Sequence, residues 1–409
     1  MILVQNRQPQ LSGNKYWIII LSALLFSACS PKIRPETKKP ESPKQVEKKE
    51  KPAEKFKQAN ISLLVPFRLN EINLKTATKS EVEKAAMAID FYQGFKLGVD
   101  SAAANGQNFK LKVYDTQDNN KQIADLISND GIAGSNLIVG PVFPDGIKYI
   151  ANYSISRGIP VVNPLAASQP SEFSNPNLIS IVNNINLHAE KVGNYITRTY
   201  NPANTIIVLI NPKAPSDEVF GKPLRAYFAN SKKPFPFQEY ASVFTMETKI
   251  VKGKQYVILL SSSDKKFVVP TLDKLMKLKK KTGLNVSLFG HPDWVKQDYN
   301  TDQLQALNTM ISASYKIDYT RPEVVTFIKK YRALFTFEPG EFAFKGFDIG
   351  YYFGKLLSSY GEDYIKYLTK ENYRGLHNSF HFTYDHEFGY INTSLMLLRY
   401  KNFALNIVE

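Results

Sequence analysis

The sequence predicts an α/β fold of two lobes, each built on a parallel β-sheet with helices on its faces. Strand and helix patterns alternate along residues 59–409, and repeated βα units imply parallel sheets. The alternation starts again near His188, after a first series that ends near Val162. These 351 residues also exceed what one hydrophobic core usually holds, so two lobes are expected.

The first lobe opens with a strand at Ile61–Pro66 and a helix that the capping-box pattern Ser80–Glu83 begins. Apolar residues then recur at steps of three and four, as on one buried helix face: Ala88, Phe91, Phe95, Gly98 and Ala102. An alternating strand follows at Phe109–Asp115. The next elements are a helix at Lys121–Asn129, a strand at Asn136–Val139, a helix at Gly146–Arg157 and a strand at Pro160–Val162.

The second lobe repeats the pattern. We expect helices at His188–Tyr200, Glu218–Ala229 and Pro270–Lys280, and strands at Thr205–Ile210, Tyr256–Leu260 and Val286–Phe289. Further along, Gly346, Gly350 and Gly354 are spaced four apart, which predicts a helix that packs closely against a neighbour.

Residues 1–28 predict a lipoprotein signal peptide. Arg7 and Lys15 precede the apolar run Tyr16–Phe26, whose eleven residues fall short of the about 20 that span a bilayer. The run leads into Ser27-Ala28-Cys29, which is similar to a bacterial lipobox. We therefore expect acyl chains on Cys29, the only cysteine, and no disulfide. Ser30 in place of an Asp favours an anchor in the outer membrane, facing the periplasm.

Residues 29–58 predict an extended tether. From residue 30 onward they hold ten Lys or Arg, five Glu and five Pro, with almost nothing apolar. Such a composition cannot bury enough surface to offset its ordering entropy. The net charge of +5 would also favour an anionic lipid surface or cell wall.

Composition and motifs exclude other function classes. Of the formal charge of +15, only +8 remains over residues 59–409, and no compact basic run interleaved with aromatics occurs there, so no nucleic-acid partner is expected. No Gly-x-Ser-x-Gly, Walker A or His-Glu-x-x-His motif occurs, so neither enzyme activity nor a cofactor is expected. His377 and His381 would share a helix face and could bind zinc. The aromatic stretch Ser379–Tyr384 favours a strand instead, which separates them by about 13 Å.

Several motifs together resemble the type I periplasmic binding proteins, and most closely their branched-chain amino acid receptors. The motifs are Ala88–Gly94, Lys112–Thr116, Ile138–Pro141, Gly158–Pro164, Asp217–Gly221 and Phe344–Asp348. The resemblance implies two discontinuous lobes, with lobe 1 at 59–182 and 312–375, and lobe 2 at 183–311 and, with a hairpin and closing strands, 376–409. It also implies three hinge crossovers, near residues 183–187, 312–319 and 375–390.

A ligand would lie between the lobes, because the crevice of an open α/β sheet lies outside the carboxyl ends of its strands. The resemblance places the candidate ligand residues on loops at those ends: Phe143, Asp145, Ala167 and Ser168 in lobe 1, and Phe220, Asp264 and Trp294 in lobe 2. The expected ligand is a small polar molecule, amino-acid-like if the family pattern holds.

The sequence departs from that pattern in lobe 1. Amino acid receptors of this family hold the ligand's carboxylate with loop hydroxyls, but here Phe143, Pro144 and Ala167 stand at those positions, and Asp145 would repel a carboxylate. Asp264 does lie near the position of the acid that pairs with the ammonium. A free amino acid is therefore disfavoured, and the aromatic residues could stack on a ring or sugar.

Two functions remain open. The first is a membrane-anchored solute-binding protein that serves an ABC-type permease. The second is an outer-membrane lipoprotein that regulates a peptidoglycan synthase, because Val113–Thr116 and Gly140–Pro141 also resemble such activators. There the same fold acts as a protein-interaction module.

Overall fold

The computed structural model describes residues 54–68, 71–73, 75–104 and 106–409. The expected signal peptide, Cys29 and most of the tether lie outside these residues. None of the helices in the described ranges combines the length and the hydropathy that a membrane span requires.

The strands are, in chain order, β1 (Ala59–Val65), β2 (Phe109–Asp115), β3 (Leu137–Val139), β4 (Val161–Asn163), β5 (Leu178–Ser180), β6 (Thr205–Ile210), β7 (Phe237–Tyr240), β8 (Gln255–Leu260), β9 (Asn285–Phe289), β10 (Met310–Ala313), β11 (Tyr373–Arg374), β12 (Ser379–Phe380), β13 (Phe382–Asp385), β14 (Gly389–Asn392), β15 (Met396–Lys401) and β16 (Ala404–Ile407). The α-helices are α1 (Lys79–Ala103), α2 (Asn120–Ser128), α3 (Pro144–Arg157), α4 (Ile185–Thr199), α5 (Pro215–Ala229), α6 (Val243–Glu247), α7 (Lys265–Thr282), α8 (Thr301–Ala306), α9 (Pro322–Phe335) and α10 (Glu341–Tyr360). Short 3-10 helices occupy Pro170–Glu172, Pro292–Lys296 and Gly361–Tyr367.

These elements form two seven-stranded sheets, so the predicted two-lobe α/β fold is confirmed. The first sheet has the order β13-β14-β5-β4-β3-β1-β2 and the second β16-β15-β10-β9-β8-β6-β7. Both are mostly parallel, and the exceptions come from the C-terminal hairpins, whose strands pair antiparallel. The inner strands β3 and β6 are buried along their whole length, as their almost continuous apolar sequences predict.

The C-terminal region departs from expectation. The sequence placed all of 376–409 in lobe 2, but β14 pairs with β5, so the β13–β14 hairpin extends the first sheet and only β15 and β16 join the second. The third crossover is therefore the short connection at 393–395, and the expected crossover at 375–390 is wrong. The other crossovers lie at 181–184 and 314–321, beside their expected positions.

Helices α1 and α10 pack in unusually close contact on the first sheet. A Cβ on Gly346 would lie 2.1 Å from the Phe91 carbonyl oxygen, and one on Gly350 would lie 2.3 Å from that of Phe95. The close packing predicted from the glycine spacing is thus confirmed. Thr78 is the N-cap of α1, and its side chain accepts from the Glu81 amide at 3.3 Å. The capping box therefore lies two residues before the predicted one.

Candidate functional site between the lobes

The lobe 1 candidates lie on two loops at the carboxyl edge of the first sheet. Phe143 precedes α3 and is 37% exposed, and Asp145 is exposed in its first turn. Ala167 is exposed and Ser168 half-buried after β4. The side chain of Asn163 closes this second loop by accepting from the Ala166 amide at 3.0 Å. Ligand contact by these four residues stays a prediction.

Two of the lobe 2 candidates are buried in the core of their own lobe. Trp294 is fully buried, and its indole nitrogen donates to the Ser262 carbonyl at 3.0 Å. Phe220 is 1% exposed and packs edge-on against His291, with ring centroids 5.1 Å apart. Both rings therefore pack in the lobe 2 core, and stacking of either ring on a ligand stays a prediction.

Asp264, the third lobe 2 candidate, is exposed at the start of α7. Its carboxylate accepts from the Lys266 amide at 3.0 Å and so caps the helix. A cap of this kind satisfies one of the free amides of a helix start. Its structural role is therefore clear, whereas the predicted pairing with a ligand ammonium stays a prediction.

The structure instead brings ionisable side chains of both lobes together at the hinge. We call Lys296, Tyr315, Glu341, Lys345 and His377 the hinge cluster. Glu341, the first residue of α10 in lobe 1, lies 2.6 Å from the Lys345 ammonium and 3.8 Å from that of Lys296 in lobe 2. A direct ion pair thus joins the facing ends of the two lobes.

The crossover at 314–321 and the lobe 1 segment around His377 supply the rest of the cluster. Tyr315 follows β10, and its ring stacks on His377 with centroids 4.2 Å apart. The Lys316 amide donates to the His377 carbonyl at 3.1 Å, which fastens the two segments together. The ammonium groups of Lys345 and Lys296 lie 5.0 and 5.6 Å from the Tyr315 ring, within the range of cation–π attraction.

The His377 segment is held in place by Asp348 of α10. This fully buried carboxyl accepts from the amides of Leu376, His377 and Asn378 at 2.7–2.9 Å. Burial raises the pKa of Asp348 to about 6, although the three amides oppose the shift. The charge of this one residue therefore affects how firmly the segment is fixed.

Burial shifts the pKa values of several groups in the cluster. Burial alone would raise the pKa of Glu341, but the adjacent Lys345 and Lys296 hold it below its usual value, so the carboxylate stays ionised. Burial lowers the pKa of Lys345. Burial, with Lys345 nearby, lowers the pKa of His377 to about 3, so its ring is neutral. The Nε2 atom of His377 has no hydrogen-bond partner among the described residues, although Glu341 lies 3.9 Å away.

A second polar group lines the lobe 2 side of the hinge. His188, near the start of α4, contacts the Ser312 hydroxyl at 2.9 Å through Nδ1 and the Ser314 hydroxyl at 3.2 Å through Nε2. Burial lowers its pKa to about 3. Close by, His291 is buried beside Asp217 and accepts from the Asp293 amide at 3.1 Å. The two histidines and the two serine hydroxyls thus place further polar groups on the lobe 2 side of the hinge.

This arrangement can bind a polar group but offers no metal site. In the part of the chain that the structure describes, no three His, Cys, Asp or Glu residues are placed to hold a metal ion. His381 lies instead on the terminal hairpin, where Nδ1 contacts the Asn372 side-chain oxygen at 2.7 Å. The ammonium groups of Lys296 and Lys345 come from opposite lobes and share Glu341 as their partner, and His377 Nε2 lies near the same carboxylate. A group of this kind can hold an anionic or strongly polar ligand.

Sequence reasoning missed most of the hinge cluster. In the sequence Lys345 stands out only as part of the motif Phe344–Asp348, and His377 only as a possible zinc ligand. A signal existed for Lys345 and Asp348, because they are charged residues within the apolar helix segment Phe344–Ile349. No such signal marks Lys296 or Tyr315, since one ends a short 3-10 helix, the other lies in a crossover, and the partners of both are distant in sequence.

Comparison with solved structures agrees with the two-lobe architecture. A putative branched-chain amino acid ABC transporter protein from Rhodospirillum rubrum matches with a TM-score of 0.62 at 14% identity, over 86% of this chain and all of that one. An ABC transporter substrate-binding protein from Desulfitobacterium hafniense matches with a TM-score of 0.53 at 13% identity, over 86% and 100%.

The chain has the type I periplasmic binding protein fold. The C-terminal domain of LpoA from Haemophilus influenzae, described as a regulator of PBP1A, shares it with a TM-score of 0.54 at 14% identity, over 86% of this chain and all of that domain. The sequence itself matches no protein-family model and no curated protein. At sequence identities this low, the comparison shows that the fold is shared.

Proposed function

We propose that the chain is a lipid-anchored solute-binding protein of the cell envelope, which holds a small polar ligand between its lobes for an ABC-type importer. The observation that carries this proposal is the ion pair between Lys296 of lobe 2 and Glu341 of lobe 1. A ligand that competes for either partner would change the contact between the lobes. Binding and hinge motion would then be coupled directly.

The chemistry of the cleft favours a polar ligand other than a free amino acid. Lobe 1 offers Phe143 and Ala167 where hydroxyls would be needed for an α-carboxylate. The hinge cluster supplies charged donors instead, because Lys296 is 57% exposed and Lys345 lies directly behind Glu341. A carboxylate or phosphate on the ligand would replace Glu341 as the partner of these ammonium groups.

Thermal unfolding of the full-length protein in detergent against a panel of small polar metabolites tests the proposal. A ligand at one hundred times its Kd stabilises the folded state by about 2.7 kcal/mol, so Tm should rise clearly. The rise should shrink in Lys296→Ala and persist in Lys277→Ala, an exposed lysine of α7 in the same lobe. A ligand that stabilises wild type and Lys296→Ala equally would contradict the proposed site.

A second function is favoured by the burial of the aromatic candidates. Because Phe220 and Trp294 are in the lobe 2 core, the cleft has less apolar surface for a ligand than the family resemblance implied. The chain would then act as an interaction module that regulates a peptidoglycan synthase, from an outer-membrane anchor at Cys29. No Tm shift with any panel compound, together with binding to a purified peptidoglycan synthase, would favour this function.

A further inference from the structure

A groove on the outer flank of lobe 2 lies apart from the hinge cluster. It is a cavity of about 1070 Å³ between α4 and α5. Its apolar floor includes Val219, which is 55% exposed, together with Pro223 and Tyr227. The Tyr227 ring lies flat across α4 at Gly193, where a Cβ would come within 2.4 Å of the ring. The Tyr227 hydroxyl donates to the Asn194 side-chain oxygen at 2.7 Å, which fixes the floor in place.

The rim of this groove is cationic. Arg198, Lys222, Lys232 and Lys233 all border the cavity, against the two acids Glu190 and Glu218. Glu218 is already engaged by Arg225 at 3.1 Å and by Lys213 at 3.4 Å. Within the described ranges, no ion pair or hydrogen bond engages the ammonium group of Lys222 or Lys232. The groove therefore presents free positive charge beside exposed apolar surface.

The groove continues toward lobe 1. A second cavity, of about 280 Å³, shares Gln169, Asn186 and Glu190 with the first. Its other end is lined by Phe388 and Ile391 of the β13–β14 hairpin in lobe 1. The two cavities adjoin at these shared residues, so a peptide segment that lay in both would contact both lobes.

We propose that this α4–α5 groove docks an acidic segment of a partner protein that carries apolar side chains. Its apolar residues would lie on Val219, Pro223 and Tyr227, and its carboxylates would pair with Lys222 and Lys232. The basic tether of this chain is excluded by charge, because residues 30–58 carry a net +5. A second copy would bring the same cations together, so a different, acidic protein fits best.

Selection from a random peptide library on phage, against the full-length protein in detergent, tests this proposal. We expect enriched peptides to combine Asp or Glu with Leu or Phe, and their binding to weaken as salt is raised. Their affinity should fall about tenfold or more in Val219→Asp and in Lys222→Glu. Both residues are exposed, so the variants should keep the wild-type Tm.

Matched controls lie on another face of the same lobe. Val269 is 44% exposed on α7, and Lys265 is exposed at the start of that helix. Val269→Asp and Lys265→Glu should bind the selected peptides as wild type does. The proposal is overturned if no peptide is enriched, if the enriched peptides are basic or uncharged, or if the groove variants bind them unchanged.

Discussion

Lys345 carries its charge in a position where lysines are seldom found. Its side chain is 12% exposed, and its ammonium group contacts Glu341 at 2.6 Å and faces the Tyr315 ring. A buried charge of this kind persists only with a partner, because desolvation of an unpaired ion is costly. The pair and the neutral His377 beside it therefore form a polar contact on which the hinge geometry depends.

Replacing Lys345 with Met should destabilise the protein. The substitution keeps much of the side-chain volume but leaves Glu341 with only the more distant Lys296. We expect the free energy of unfolding to fall by about 1–3 kcal/mol. This loss is smaller than that expected on breaking a fully buried ion pair, because Glu341 is partly exposed. Urea denaturation measures the change, and Lys355→Met, at an exposed position of α10, is the control.

The double variant Lys345→Met, Glu341→Gln separates charge from packing. Because it removes the uncompensated carboxylate, it should recover part of the lost stability. If Lys345→Met unfolds at the same urea concentration as wild type, the pair does not hold the hinge.

The buried His188 should make the free energy of unfolding depend on pH. Its pKa is about 3 when folded, because of burial, against 6.5 in the unfolded chain. The stability that it contributes is therefore present above pH 6.5 and is lost as pH falls from there toward pH 3. Each unit of pH within that window should cost about 1.4 kcal/mol per such histidine.

The variant His188→Asn tests this dependence. We expect the free energy of unfolding to fall less steeply between neutral and acidic pH than in wild type, since one fewer proton binds on unfolding. His386→Asn, on an exposed turn, should leave the slope unchanged. Parallel slopes for wild type and His188→Asn would show that His188 takes up its proton while folded.

At the scale of elements, the contact between α1 and α10 fixes the position of Glu341. The glycines let the helices approach until backbone touches backbone, with Gly94 facing the Ala343 carbonyl and Gly346 facing that of Phe91. The side chain of Asp90 adds an acceptor for the Ala343 amide at 2.9 Å. The start of α10, and with it the hinge cluster, is thereby set by the first-sheet helix α1.

Gly346→Ala should disrupt this contact. Its Cβ would meet the Phe91 carbonyl oxygen at 2.1 Å, and backbone cannot rotate away as a side chain can. We expect a loss of about 1–3 kcal/mol, measured by thermal or urea unfolding. Ser359→Ala, at an exposed site of α10, should be nearly neutral. Equal stability of Gly346→Ala and wild type would mean that the helices lie farther apart than described.

Long, strongly patterned elements could be predicted from sequence, and short ones could not. Phe109–Asp115 and Thr205–Ile210 match β2 and β6, because alternation or a continuous apolar run marks such strands. The strand β5 has only three residues, and β7 is half-buried throughout, so neither shows a period. The placement of the β13–β14 hairpin is likewise decided by pairing with β5, which local sequence does not encode.

At the scale of the whole molecule, the candidate site is assembled from segments far apart in the chain. Lys296, Tyr315, Glu341 and His377 come from four separate segments, and the one that holds Tyr315 is a crossover between the lobes. Family resemblance pointed to the carboxyl edges of both sheets but to other residues there. Residue spacing could not reveal the hinge cluster, because three-dimensional packing of segments that are distant in the chain creates it.

We propose that a small polar molecule binds between the lobes at the hinge cluster. Native mass spectrometry of the full-length protein, purified from the cells that naturally make it, tests this most directly. We predict one small polar molecule per chain, released on denaturation and lost from Lys296→Ala but retained by Lys277→Ala. A wild-type chain that carries no such molecule, or one that Lys296→Ala retains equally, would contradict the account.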